Sequence, residues 1–135
     1  VGKPFTMSNL RDAISKVRAA PAHWARAFSD RGIVGVYIYT RQCVRAQSSF
    51  HARMLAPDLG VPEDPATGSA AIGFARVVHA FDGLNDGTHK RTVEQGLEMG
   101  RPSNIGLLIT VKNGELEGVR IGGHVVRIAN GEMRV

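Results

Sequence analysis

The apolar positions of this chain change period twice, and the changes divide it into recognisable elements. From Ser8 or Asn9, either able to cap a helix, Leu10, Ala13, Ile14 and Val17 recur at helical spacing and stop before Pro21, which predicts a short first helix. Trp24, Ala25 and Phe28 mark a second short helix over 22–28, before the Asp30-Arg31-Gly32 turn. Val, Ile and Tyr then crowd residues 33–40, which predicts a strand, and 44–47 and 50–55 read as further extended segments. In the last of these His51 and Arg53 alternate with Phe50, Ala52 and Met54, so one face is expected to be wet and the other buried.

The period becomes helical again over 69–81, where Phe74, Val77, Val78 and Phe81 share a stripe and Ala70, Ala71, Gly73 and Ala75 keep the other faces thin. A helix this apolar is expected to be buried nearly all round, inside a curved sheet. Candidate strands follow at 91–98, 105–112, 116–121, 125–129 and 132–135, separated by Asn85-Asp86-Gly87, Asn113-Gly114, Gly122-Gly123 and Asn130-Gly131. Asn113-Gly114 is the clearest hairpin turn. Short strands about one central helix predict an α+β domain, with no βαβ alternation to suggest a parallel sheet.

Composition narrows the class. With 135 residues, 43% hydrophobic and 21% charged, the chain has the balance of one ordinary globular domain. No window approaches the roughly 18 consecutive apolar residues of a membrane-spanning helix, and the first residues lack the apolar stretch of a secretory leader, so a cytoplasmic protein with no membrane partner is expected. The sequence opens on Val1, and Lys3 to Leu10 reads as an extended apolar segment with no preceding turn, as though it begins partway through something larger. A net charge of +5 raises the question of nucleic acid. Its arginines, however, are spread almost evenly from Arg11 to Arg134 with no interleaved aromatic residues, so no nucleic-acid partner is expected. A small anionic substrate or an acidic partner domain suits the charge equally. The single cysteine, Cys43, reads as a core residue, and the five histidines show no metal-ligand spacing.

The chemistry concentrates in Gly60-Val61-Pro62-Glu63-Asp64-Pro65-Ala66-Thr67-Gly68-Ser69-Ala70-Ala71. Pro62 and Pro65 restrict the backbone before the long helix, and the first helical amides, lacking intrahelical acceptors, attract anions. Asp64 is the best candidate for orienting or relaying a proton; the plainer alternative is that it caps the helix or pairs with an arginine. Glu63 reads as a solvated neighbour. Thr67 stands at the N-cap, Gly68 removes a side chain where an anion would sit, and Ser69 adds a hydroxyl donor. Ordinary capping explains the same Thr-Gly-Ser. Ser69 as a nucleophile is poorly supported, because its surroundings do not match a Gly-x-Ser-x-Gly elbow.

These residues carry a resemblance. His51-Ala52-Arg53-Met54 leading into Gly60–Ala71, together with Glu94-Gln95-Gly96, Glu98-Met99-Gly100-Arg101-Pro102-Ser103 and Val119–Ile128, resembles the PhzF-like isomerases of phenazine biosynthesis over nearly the whole chain. That resemblance implies a diaminopimelate-epimerase-like fold: two similar α+β domains, each a barrel-like, mostly antiparallel sheet around a central helix, with substrate in the cleft between them. Residues 1–135 would be the second, C-terminal domain, with 1–10 the tail of, or linker from, a first domain. It further implies that Asp64 assists proton transfer, that Thr67, Gly68 and Ser69 bind a carboxylate-bearing substrate, that neither metal nor organic cofactor is needed, and that two copies can pair. The family's principal acid/base, a glutamate of the first domain, has no match here, so the segment alone is expected to be inactive. The competing expectation is a non-catalytic module that binds small anions or docks a partner at the same helix start.

Overall fold

The computed structural model describes residues 10–133. Helices α1 (Leu10–Lys16) and α2 (Pro21–Ala27) precede strands β1 (Val36–Thr40), β2 (Phe50–Ala56) and β3 (Val61–Asp64). The long helix α3 (Gly68–Asp82) then leads to β4 (Gly87–Gln95), β5 (Ser103–Lys112) and β6 (Glu115–Gly122). The extended segment expected before Leu10, and the end of the strand expected over 132–135, lie outside the described residues.

The six strands form one sheet in the order β1-β2-β4-β5-β6, with β3 also paired to β2. β1 runs antiparallel to β2, from Val36 opposite Leu55 to Thr40 opposite His51. The other edge of β2 is divided: Phe50, His51 and Ala52 pair in parallel with Val93, Glu94 and Gln95 of β4. Met54 and Leu55 pair antiparallel with Asp64 and Glu63 of β3. β4, β5 and β6 complete the sheet as an antiparallel meander. Asn113 and Gly114, both with positive φ, turn β5 into β6 as their sequence predicts. The carboxylate of Asp86 accepts the Asn113 and Gly114 amides at 2.7 and 2.8 Å, which fastens this turn to the one following α3.

Several sequence expectations are corrected. The sheet is mostly antiparallel but contains one parallel pair, β2 with β4, because α3 carries the chain across the sheet between them, as a parallel crossover requires. Residues 44–47 are not a strand: the Val44 and Arg45 amides donate to the Glu94 carboxylate and not to a neighbouring strand. Residues 125–129 are not a strand either, since no described strand pairs with β6 on its outer side. β2 has no wet face. His51 and Arg53 are buried, as are Phe50 and Ala52 on the opposite side, because carboxylates and the end of α1 cover the polar face.

α3 is buried on one face only. Ala71, Phe74, Ala75 and Val78 recur at helical spacing and meet Phe50, Val93, Leu107, Ile109 and Val111 in one core cluster. Phe74 is the centre of an aromatic group, its ring centroid 4.5 Å from Tyr39, 4.9 Å from Phe50 and 5.7 Å from Tyr37. The small residues let the helix lie close to the sheet: at Gly68 an added Cβ would come within 2.7 Å of Ile121 Cδ1 on β6. Phe81 continues the stripe in sequence, yet it is 80% exposed and lies outside the core cluster.

The two phenylalanines should therefore respond differently to truncation. Phe74→Ala is expected to lower the free energy of unfolding by about 3–5 kcal/mol, and Phe81→Ala by no more than about 0.5 kcal/mol, in urea titrations. Comparable losses at both positions would contradict this placement of the core.

Candidate active site

The Gly60–Ala71 segment is held on both sides. Gly60, at φ 77°, ends a short turn over Pro57–Leu59 and sends the chain back along β2 as β3. In this register Glu63 reaches Arg53: Arg53 Nε and Nη2 donate to its two carboxylate oxygens at 2.8 and 2.7 Å. The reading of Glu63 as a solvated neighbour is thus overturned, since it neutralises a buried guanidinium. The hydrogen bond from Arg53 to Glu63 raises the guanidinium's pKa further, against the effect of burial. Arg53 Nη1 also donates to the carbonyls of Ile14, Ser15 and Val17, at 2.6, 3.2 and 3.1 Å, so a cation satisfies the C-terminal end of α1.

Gln95, at the end of β4, organises the next residues. Its Nε2 donates to the Asp64 carbonyl at 2.6 Å and to Thr67 Oγ1 at 3.0 Å. Its Oε1 accepts from the Tyr37 hydroxyl at 3.3 Å and the Thr67 amide at 3.4 Å. Burial of the Tyr37 phenol pushes its pKa well above the ordinary value, so it remains a donor. Thr67 Oγ1 donates in turn to Asp64 Oδ2 at 2.7 Å, while Asp64 Oδ1 has the Ala66 amide only at 3.5 Å. One carboxylate oxygen is fixed and the other is lightly held.

Thr67 occupies the N-cap position of α3 but makes no side-chain cap bond, because its hydroxyl serves Asp64 and Gln95. The first intrahelical bond is Ala71 N to Thr67 O, at 3.1 Å. The amides of Gly68, Ser69 and Ala70 are therefore left without a capping side chain at the start of a 15-residue helix. An open cleft of about 470 Å³ lies against this end, with Arg45, Gly68, Asn104, Ile121 and His124 in its walls. Of the four residues singled out in sequence, Gly68 lines the cleft, Ser69 is exposed beside it, Asp64 is partly buried and Thr67 is buried. Gly96 keeps the opposite loop close. It has φ 77°, and an added Cβ would collide with the Arg101 carbonyl and lie 2.8 Å from the Pro65 carbonyl. Ser103 Oγ donates to that Pro65 carbonyl at 2.7 Å.

Beneath the cleft lies a buried ionic group that residue types alone did not reveal. His51 Nδ1 is 3.0 Å from Glu94 Oε1 and its Nε2 is 2.9 Å from Glu98 Oε1. Glu94 also accepts the amides of Val44 and Arg45 at 2.6 and 3.0 Å. Burial by itself would raise the Glu94 pKa, but these backbone donors, with His51, outweigh it and hold the carboxyl below its ordinary value. The available clue was the parallel register, which no local pattern predicts: it sets His51 directly opposite Glu94. No group of His, Cys, Asp or Glu side chains among the described residues is arranged to hold a metal ion.

A family profile described as phenazine biosynthesis-like protein matches residues 2–131. The chain belongs to this family. An uncharacterized isomerase of Mesorhizobium japonicum is 42% identical over 98% of the chain, which covers 45% of that relative. One of Deinococcus radiodurans is 36% identical over 68% of the chain and 30% of its own length. The chain thus spans less than half the length of the curated relatives it matches. A crystal structure of a Bacillus anthracis phenazine biosynthesis protein of the PhzF family superposes with a TM-score of 0.56 at 20% identity, over 64% of this chain and 29% of that one, a likeness of fold.

Two substitutions test the network. Gln95→Leu leaves the Asp64 carbonyl and the Thr67 amide without their partner and is expected to lower stability by about 1–3 kcal/mol in urea; a loss below about 0.5 kcal/mol would contradict the clamp. Glu94→Gln tests the carboxylate. Because its pKa is depressed in the fold, Glu94 contributes stability above its ordinary pKa of 4.5 and loses that contribution as pH falls through the lower folded value. The wild-type advantage over Glu94→Gln in melting temperature should accordingly be full at pH 7 and shrink below pH 4.5. A gap constant with pH would mean that the charge is immaterial.

Proposed function

We propose that this chain is the second domain of a PhzF-like isomerase, built on a diaminopimelate-epimerase-like fold whose barrel-like sheet curves about the buried face of α3. It works by cofactor-free proton transfer on a small carboxylate-bearing metabolite. The observation that carries this reading is the combination of Asp64, tied to Thr67 through one oxygen only, with an uncapped start of α3 that opens onto a cleft. The Gly68 and Ser69 amides hold the substrate carboxylate, with the Ser69 hydroxyl beside them. Asp64 Oδ1 receives or returns a proton on a carbon or heteroatom of the bound molecule, while Oδ2 stays fixed.

The second half of the cleft, in this reading, comes from a preceding domain that supplies a glutamate as the principal acid/base. Two observations support it. The chain matches only 45% of its Mesorhizobium relative. Beyond β6, Val125, Val126 and Ile128 are 94%, 86% and 94% exposed, an apolar segment of the kind that a further domain or a second copy covers. No helix among the described residues is long and apolar enough to cross a membrane.

The experiment is solvent-deuterium incorporation into a panel of small amino and hydroxy acids, followed by mass spectrometry, with the complete parent enzyme and with this chain alone. Exchange by the complete enzyme and nearly none by this chain is expected; full activity from this chain would overturn the requirement for another half. In the complete enzyme Asp64→Asn should slow exchange by about 100- to 10,000-fold, and unchanged turnover would remove Asp64 from the proton path.

A further inference from the structure

The loop joining β1 to β2 is irregular, yet its backbone is fixed at one point. Val44 N and Arg45 N donate to the two oxygens of the buried Glu94 carboxylate, which His51 holds from the other side. This places the Arg45 side chain in the wall of the cleft that Gly68 also lines. Arg45 Nη1 donates to Asn104 Oδ1 at 2.7 Å, and Asn104 is set by its pairing with Glu94 across β4 and β5. The guanidinium is thus oriented by a neutral amide.

Several other arginines meet a carboxylate: Arg53 meets Glu63, and Arg41 and Arg91 meet Asp82. Arg45 forms no ion pair among the described residues, although it is half-buried. No Asp or Glu lines the cleft, whose other ionisable wall residue is His124. A partly desolvated cation with unused donors, in a cleft without acids, selects an anion, and the planar fork suits a carboxylate bound through two N–H groups.

We propose that the cleft accepts a small molecule bearing two anionic groups, a dicarboxylate, with Arg45 as the residue that binds the second carboxylate and so sets specificity. The inference rests on the reading above, in which the first carboxylate lies on the Gly68 and Ser69 amides. One end is then read by backbone dipoles and the other by a fixed charge. A monocarboxylate satisfies only the first.

The test is titration of the full chain with butyrate, succinate and glutarate, followed by ¹⁵N NMR of the Gly68, Ser69 and Ala70 amides and of the arginine Nε groups. Succinate or glutarate is expected to bind at least about tenfold more tightly than butyrate and to shift both sets of signals. Arg45→Ala should abolish that preference while butyrate, succinate and glutarate still shift the amides, and Arg45→Lys should restore part of it. Equal affinity for mono- and dicarboxylates with the amides still shifting, or a preference that survives Arg45→Ala, overturns the role of Arg45 and leaves the first site standing. Failure of every acid to shift the three amides overturns the reading of the helix start, and the two-point inference with it. An Arg45→Ala spectrum unchanged elsewhere establishes that the variant is folded.

Discussion

A carboxylate removed from water is stable only where donors surround it, and Glu94 draws its donors from separate parts of the chain. The Val44 and Arg45 amides come from the β1–β2 loop, and the imidazole of His51 comes from the neighbouring strand. That one group therefore couples the loop to the sheet, and the parallel pairing of β2 with β4 makes the meeting possible. Through the same ladder the next residue, Gln95, is aimed at Asp64 and Thr67. Two adjacent positions on β4 thus fix the loop that carries Arg45 and the approach to α3.

What the sequence discloses of this arrangement follows from which interactions are local. Periodicity is local, so α3 and the Phe74 and Val78 of its buried stripe are visible, and turn chemistry makes Asn113-Gly114 visible. The Gly60–Ala71 segment stands out because proline, glycine and small residues restrict a backbone wherever they occur. By contrast, His51 and Arg53 alternate with apolar neighbours as a solvated face would. Only the carboxylates of Glu63, Glu94 and Glu98, brought up from elsewhere in the sheet, turn that face into an interior. Residues 44–47 have the composition of a strand, and a side-chain acceptor claimed their amides. Phe81 keeps the helical spacing and is nevertheless exposed, since spacing does not say which turns of a helix are covered.

Charge is also distributed in a way that composition hides. The surplus of arginine gives a basic protein, but the arginines divide by partner. Arg53 serves the interior, where Glu63 and three helix-end carbonyls consume its donors. Arg41 joins the β1–β2 loop to Asp82 at the end of α3. Arg45 faces a neutral amide and the cleft. The evenly spread arginines are thus separate devices with separate tasks.

The commitment of the Thr67 hydroxyl to Asp64 and Gln95 has a consequence for the energetics of the whole helix. A side-chain cap ordinarily contributes about 1 kcal/mol, and α3 forgoes it at the end that opens onto the cleft. An anion seated on those amides would complete the helix as a threonine oxygen does elsewhere. Ligand and fold then become thermodynamic partners: whatever occupies the cleft also tightens the first turn, and the empty protein carries a small, local instability as the counterpart of its readiness to bind.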